Sequence, residues 1–394
     1  MRIAHVCLSN FYIDGFGYQE NILPKIHKLM GHDVVIIAST ESYVNKTQLS
    51  YVDPGSYINE HGIWVHRLPY SRYVPQLAQA KIRAYEGLLE RLESFQPEVI
   101  FIHDVQFWDL LKIRSFAKRT PVRVLADSHT DFVNSARGFV SRRLLHGIYY
   151  RNIVRRCRDV IERFYPTLPA RGDFMANVYG LDRAKMRLLP FGVDDTALHG
   201  LDRAAVRNEM RAALSIPEDA CVFVTGGKLD MRKNIHVLVD RFSRLKRAGE
   251  LPNCHLLVFG KPDDEVRAAL LNVECDASVH MMGWVPTAEI FRAFWAADLA
   301  LFPGTHSVLW EEAIGHGLGA VFHRWRGMEH LDLGGNALFL DDAHPDTLDG
   351  VLRDLVSDDC AKIRALKSVA ADKGPGTFSY SAIAAQAIAP ALEV

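Results

Sequence analysis

One pattern occurs twice along this chain and leaves few folds open: short, wholly apolar runs alternate with longer amphipathic stretches. Val34-Val35-Ile36-Ile37 contains no polar residue, which suits a strand covered on both faces, as in a parallel sheet. In the first half the pattern predicts strands over Arg2–Leu8, Asp33–Ala38, Trp64–Leu68, Glu98–His103, Arg123–Ala126 and Met186–Leu189. Helical stretches lie between them at Asn21–Met30 and Lys81–Phe95. The pattern restarts near residue 220, with strands expected at Val222–Thr225, His255–Phe259, Val279–Met282, Leu299–Phe302, Ala320–Phe322 and Ala337–Leu340. A helix is expected over Met231–Ala248, because Ile235, Leu238, Val239, Phe242 and Leu245 recur at helical spacing. The fold class read from this is α/β, with two Rossmann-like domains facing each other across a cleft. The domains are expected at 1–195 and 196–375, with 376–394 a C-terminal helix packing back on the N-terminal domain.

A chain of 394 residues is long enough for two such domains, and its 48% hydrophobic content supplies two cores. Lys+Arg is 46 and Asp+Glu 47, so the net charge of -1 gives no global field for nucleic acid, and any anion site must be local. The six cysteines are scattered without a Cys-x-x-Cys pair, which argues against a zinc site or a disulfide framework and for a reducing compartment. The N-terminus is too polar for a signal peptide, and no stretch approaches the roughly 20 apolar residues that span a bilayer. A cytoplasmic protein, peripheral on the inner face of the membrane, is expected. Arg137–Arg163 carries eight arginines against Asp159 and Glu162, interleaved with Phe139, Leu144, Leu145, Ile148, Tyr149 and Tyr150. It reads either as a dock for an anionic membrane surface or as a helix with a solvated basic face.

Ligands of open parallel sheets bind beyond the carboxyl ends of the strands. After the first strand come Gly15-Phe16-Gly17, which suit either a plain turn or close approach to a phosphate at a helix start. The second half opens with Gly226-Gly227-Lys228-Leu229 and then Lys233, a set that suits a diphosphate or a solvated loop. The richest segment is Pro303-Gly304-Thr305-His306-Ser307-Val308-Leu309-Trp310-Glu311-Glu312. Ser307 is placed as a helix N-cap, leaving first-turn amides for phosphate oxygens. Glu311 and Glu312 diverge by about 100° on a helix, so one at most faces a ligand. The alternative is a capped helix with both carboxylates in water. His129, between Asp127 and Asp131, stands at another strand end, where it would orient a sugar hydroxyl or serve structure alone.

Taken in order, these segments resemble the family-4 retaining glycosyltransferases of GT-B fold. The likeness rests on Asp14-Gly15-Phe16-Gly17, Gly31-His32-Asp33-Val34-Val35, the strand-end His129, Phe191-Gly192-Val193-Asp194, Gly227-Lys228-Leu229 with Lys233, Gly283-Trp284-Val285, and Glu312 before Ala313. The resemblance implies transfer of a sugar from a UDP- or GDP-sugar to a glycan or lipid-linked acceptor, in bacterial surface polysaccharide or glycolipid synthesis. It implies no cofactor, no metal and no nucleic-acid partner, the nucleotide sugar being the co-substrate. His129, Lys233 and Glu312 would take the catalytic roles. Gly15, Gly17, Gly227, Lys228, Lys233, Trp284, Val285, His306, Ser307, Val308 and Glu312 would bind the donor. Lys228 and Lys233 would stabilise the leaving diphosphate, and Glu312 would hold the ribose. The chain departs from the family pattern where a first Glu is usual, at Gly304, and in Lys228 and Phe191 where Arg and Asn are common. Two other functions share the donor site: a nucleotide-sugar epimerase of the same fold and a non-catalytic sugar-nucleotide-binding protein. A Rossmann oxidoreductase is disfavoured, because no third glycine follows and the glycines stand several residues past the strand.

Overall fold

A computed structural model of the chain describes residues 1–44, 48–132, 135, 138, 139 and 141–393. The chain divides into two units, Met1–Pro190 with Tyr380–Val394, and Phe191–Ser379. At the start of the second unit Val193 bridges to Ser379, and its amide donates to Phe378 O at 2.7 Å.

In the first unit the strands are β1 (Arg2–Cys7), β2 (Asp33–Ser39), β3 (Glu41–Val44), β4 (Gln48–Tyr51), β5 (Gly55–Ile58), β6 (Trp64–Leu68), β7 (Val99–Ile102), β8 (Arg123–Ser128) and β9 (Ile161–Pro166). Among the described residues they form a sheet in the order β5-β6-β2-β1-β7-β8-β9, with β3 and β4 a separate hairpin. All neighbours in the larger sheet are parallel except β5 and β6. Alternate residues of each strand enter different cores. Ala4 and Val6 join Ile100, Ile102, Val124, Ile113 and Phe116 on one face. Ile3 joins Val99, Phe101 and Leu125 on the other, under Ile22, Leu23 and Ile26 of the Gln19–Leu29 helix and Ile383, Ala387 and Ile388 of the Tyr380–Leu392 helix. Each buried Val, Leu, Ile or Phe among them contributes about 1.5–3 kcal/mol.

Two expectations need correction here. Met186–Leu189 is no strand: Met186 makes one bridge to Phe164, and Arg187 and Leu189 donate to Phe164 O and Pro166 O. The strand in that region is β9, whose edge position lets Glu162 and Arg163 interrupt the apolar pattern. The expected helix Lys81–Phe95 is two helices, Gln76–Ile82 and Leu88–Phe95. Arg83 (φ 54°) and Gly87 (φ 84°) adopt left-handed conformations between them, and Tyr85 pairs with Tyr70.

In the second unit β10 (Cys221–Gly226), β11 (Cys254–Phe259), β12 (Val279–Gly283), β13 (Leu299–Phe302), β14 (Gly319–His323) and β15 (Ala337–Leu340) form a parallel sheet in the order β12-β11-β10-β13-β14-β15. The chain winds outward from β10 on one side and from β13 on the other. The topological switch therefore lies between β10 and β13, where such sheets open a crevice at their carboxyl ends. The expected helix Met231–Ala248 begins later: a single tight turn, Met231–Lys233, is closed by Asn234 at φ 54°, and the α-helix runs Ile235–Arg247. A long helix, Pro345–Phe378, is interrupted by left-handed Asp358, Asp359 and Cys360.

Candidate active site

At the switch point, glycines let three strand-end loops touch. A Cβ on Gly260, after β11, would stand 1.9 Å from Gly227 O, and one on Gly304, after β13, would stand 2.3–2.5 Å from the backbone of Arg232 and Lys233. Real Cβ atoms do not approach that closely, so position 304 holds no side chain. In this fold, position 304 has no room for the Glu that the family resemblance leads one to expect there. Gly227 (φ 110°) donates its amide to Phe259 O at 3.0 Å.

Asp230 accepts from the Arg232 amide and opens the tight turn that presents Lys233. The Lys233 ammonium donates to Thr305 O (2.6 Å) and His306 O (2.8 Å), lacing the β10 loop to the β13 loop. Asn234 adds a bond to Pro303 O at 3.1 Å, and the Thr305 amide donates to Arg232 O at 3.0 Å. Burial lowers the Lys233 ammonium to about 8, Asp230 opposing and Arg232 assisting. Lys228 projects into solvent beside this lacing.

The helix after β13 runs Leu309–Gly315, and its N-cap is Val308, one residue later than expected. Ser307 Oγ instead accepts from the Leu309 amide at 3.3 Å, and Ser307 O takes the Trp310 amide. The amides of Ser307 and Val308 themselves have no acceptor among the described residues. The two carboxylates part as the helical rotation requires. Glu311 is fully buried and accepts from His306 Nε2 at 3.0 Å and His330 Nε2 at 2.9 Å. Burial would raise it, but these two imidazoles hold it at about 2. Its expected alternative, a water-facing carboxylate, is thus corrected. Glu312 is partly exposed and its carboxyl has no hydrogen bond or ion pair among the described residues. Burial and then the Glu311 charge push it up to about 8.

Sequence reasoning missed His330 and Trp325. Trp325 Nε1 donates to Gly304 O at 3.2 Å, and its half-exposed ring flanks the same loop. Neither lies next to an expected motif. The nearness of His306 and Glu311, five residues apart, was the available signal. Trp284, at the sheet edge after β12, is 71% exposed, and Val285 is partly buried beside it. They are two strands away from β10; Gly283 O accepts the amide of Gly260, in the loop after β11, at 2.6 Å.

In the first unit Gly15 (φ 72°) needs its glycine for backbone conformation, since a Cβ there meets nothing within 4 Å. Its amide donates to Glu60 at 3.3 Å, and neighbouring Asp14 binds Arg67 and Tyr57. Glu60 and Asp14 thus set negative charge beside the Gly15–Gly17 loop. His129 lies 3.3 Å from the Asp127 carboxylate and 3.9 Å from Glu20. Burial would lower it, but Asp127 and Glu20 raise it to about 9. The basic segment holds a wide π-type helix, Ser141–Tyr150, and an α-helix, Arg151–Cys157, with Leu144, Ile148 and Phe139 exposed. Arg163 leaves it for β9, and Arg137 lies outside the described residues.

Two family models match the chain: a glycosyl transferase 4-like domain over residues 28–192 and glycosyl transferases group 1 over residues 206–318. The chain belongs to the family-4 type of GT-B glycosyltransferases. One curated relative, mannosylfructose-phosphate synthase of Agrobacterium fabrum, is 28% identical over 155 residues, 37% of this chain. That match spans a third of the relative's length (33%). Among solved structures, sucrose-phosphate synthase from Thermosynechococcus elongatus superimposes with TM-score 0.66 at 15% identity, covering 98% of this glycosyltransferase and 96% of that chain. Anabaena HepE in complex with UDP-glucose gives 0.67 at 15% identity over 100% of both chains. UDP-GlcNAc 2-epimerase from Neisseria meningitidis bound to UDP-GlcNAc gives 0.61 at 12%, over 100% and 99%. At these identities the likeness establishes the fold of the glycosyltransferase, which is mixed α/β with parallel sheets.

Proposed function

We propose that the chain is a retaining, metal-independent hexosyltransferase that moves a sugar from a UDP- or GDP-sugar to a glycan or lipid-linked acceptor in bacterial surface polysaccharide or glycolipid synthesis. The observation that carries this is the β10–β13 crevice, which brings together Lys233, exposed Lys228, and the Ser307 and Val308 amides and Glu312 carboxyl that have no partner among the described residues. Cations and amides fixed before the reaction stabilise negative charge as it develops on the departing diphosphate, which is the task a divalent ion performs elsewhere. Glu312 accepts from ribose hydroxyls, and His129, cationic at neutral pH, donates to the donor sugar. Relatives whose structures hold UDP-glucose and UDP-GlcNAc lend support to this class of donor. The exposed Phe139, Leu144 and Ile148 beside Arg142 and Arg143 suit docking on an anionic membrane, where lipid-linked acceptors reside. No helix among the described residues is long and apolar enough to cross that membrane.

The test incubates protein treated with EDTA with UDP- and GDP-sugars and candidate acceptors. Transfer without added metal is expected, with the anomeric configuration kept. Strict dependence on a divalent ion, or inversion, would overturn the proposal. The epimerase relative motivates a second reading, in which an epimer forms from the nucleotide sugar with acceptor omitted.

A further inference from the structure

Along one face of the first unit, three fully buried histidines stand in line. His27 Nε2 is 2.9 Å from Ala384 O, and His27 Nδ1 is 3.0 Å from His5 Nε2. His5 Nδ1 is 3.0 Å from His103 Nε2, and His103 Nδ1 is 3.0 Å from Asp127 Oδ2. The rings belong to the Gln19–Leu29 helix, to β1 and to the residue after β7, and they stack at centroid separations of 5.1 and 5.2 Å.

Each of the four contacts needs one N–H proton, since both ends of the line, a carbonyl and a carboxylate, are acceptors. Three neutral imidazoles carry three such protons. A fourth must be present. Asp127 does not supply it as an acid, because it also accepts the Asp104 amide at 2.9 Å and lies beside His129. We infer that the line His27–His5–His103 holds one extra proton as an internal imidazolium, the counter-charge of Asp127, and that His5 and His27 are positioning residues acting on His129 through that carboxylate. Burial pushes His5 well down and His27 to about 4, so each carries a single proton, His27 toward Ala384 and His5 toward His27. The cation then falls on His103, whose Nε2–H donates to His5 and whose Nδ1–H donates to Asp127. A buried charge is tolerated because its partner is in direct contact and every ring nitrogen is satisfied. The charged and titratable groups facing the line are Asp127, Asp104, Glu20 and His129 at one end and His32 at the other.

Glu20, His103 and His129 also approach one another closely enough to suggest a cation site. Both nitrogens of His103 are already engaged, so that set offers a metal two ligands, not three.

The consequence reaches His129. With His103 charged, the Asp127 carboxylate already has its counter-charge before His129 shares its Oδ2. Discharging the line keeps the His103 hydrogen bond to that carboxylate but removes its positive charge, leaving the charge of Asp127 to be balanced by His129. An opposite or like charge at such a separation moves a titration by about 1–3 pH units. His27→Leu removes one acceptor, so that two neutral rings satisfy the two remaining contacts and the extra proton is lost. His27→Gln keeps the count, because its amide oxygen accepts from His5 and its NH2 donates to Ala384 O.

The inference rests on the proposed function only for the importance of His129, and its test is silent about sugar transfer. Histidine 15N spectra of the full chain in a His129→Gln background should show one line histidine protonated on both nitrogens at pH 8.5. His27→Leu should abolish that signal and His27→Gln should keep it. With His129 restored, its own titration should rise by about one pH unit or more in His27→Leu and stay put in His27→Gln. Wild-type spectra with His5, His27 and His103 all singly protonated at neutral pH would overturn the inference, even if both variants fail to fold. So would a His129 titration that His27→Leu leaves unmoved.

Discussion

Replacing Glu312 with Gln should stabilise the free protein while weakening the donor. The Glu312 carboxyl has no partner among the described residues, sits beside ionised Glu311, and is pushed from its ordinary 4.5 up to about 8. A carboxyl raised in the folded state favours folding in its protonated form, so its contribution is harmless below 4.5 and becomes a cost as pH rises toward 8. At about 1.4 kcal/mol per pH unit of displacement, that cost nears 3 kcal/mol at pH 7 as a ceiling. Partial exposure of the carboxyl reduces it to about 1–2 kcal/mol. Glu312→Gln removes the charge and keeps the shape, so melting at pH 8 should rise by roughly 2–8 °C, with little difference at pH 4.5. Ribose hydroxyls favour the ionised form, so donor binding by the wild type should release a proton near neutral pH. Calorimetry in buffers of different ionisation enthalpy reads that release, and Glu312→Gln should lose it along with about ten- to a hundredfold in donor affinity. A variant no more stable than wild type at pH 8, or equally shifted at both pH values, would refute the electrostatic argument.

Lys233→Ala should leave the Thr305 and His306 carbonyls without their donor, cost about 1–3 kcal/mol by urea unfolding, and abolish the donor-induced thermal shift. Gly304→Ala forces a methyl against the Arg232 and Lys233 backbone, so a loss of about 1–3 kcal/mol is expected, with donor binding falling in parallel. His129 is raised from 6.5 to about 9, so its stabilisation is complete below 6.5 and disappears as pH climbs through 9. Its ceiling is about 3 kcal/mol, and His129→Gln should flatten the stability profile across that window.

Where a strand is buried on both faces, the sequence announces it. Val34–Ile37 and Leu299–Phe302 are apolar throughout and lie inside their sheets. At the sheet edge the signal fails, because Glu162 and Arg163 of β9 need no apolar cover and Glu162 pairs with Arg123. The break inside 81–95 turns on Arg83 accepting a left-handed conformation, which composition does not betray. The choice between Glu311 and Glu312 was legible only as a divergence on a helix. Which one lies inside depended on His330, nineteen residues on. The histidine line was invisible, since its contacts join residues 22, 98 and 24 apart that only the finished sheet aligns. Gly304 read as a lost Glu in sequence and is a steric requirement in the fold.

A crystal of the full chain grown with EDTA and soaked with UDP-sugar or GDP-sugar puts the phosphate pocket to the most direct trial. The diphosphate should lie on the Ser307 and Val308 amides with Lys228 and Lys233 beside it and the ribose on Glu312. A nucleotide found away from the β10 and β13 strand ends, or one that binds only when a divalent ion is restored, would contradict it.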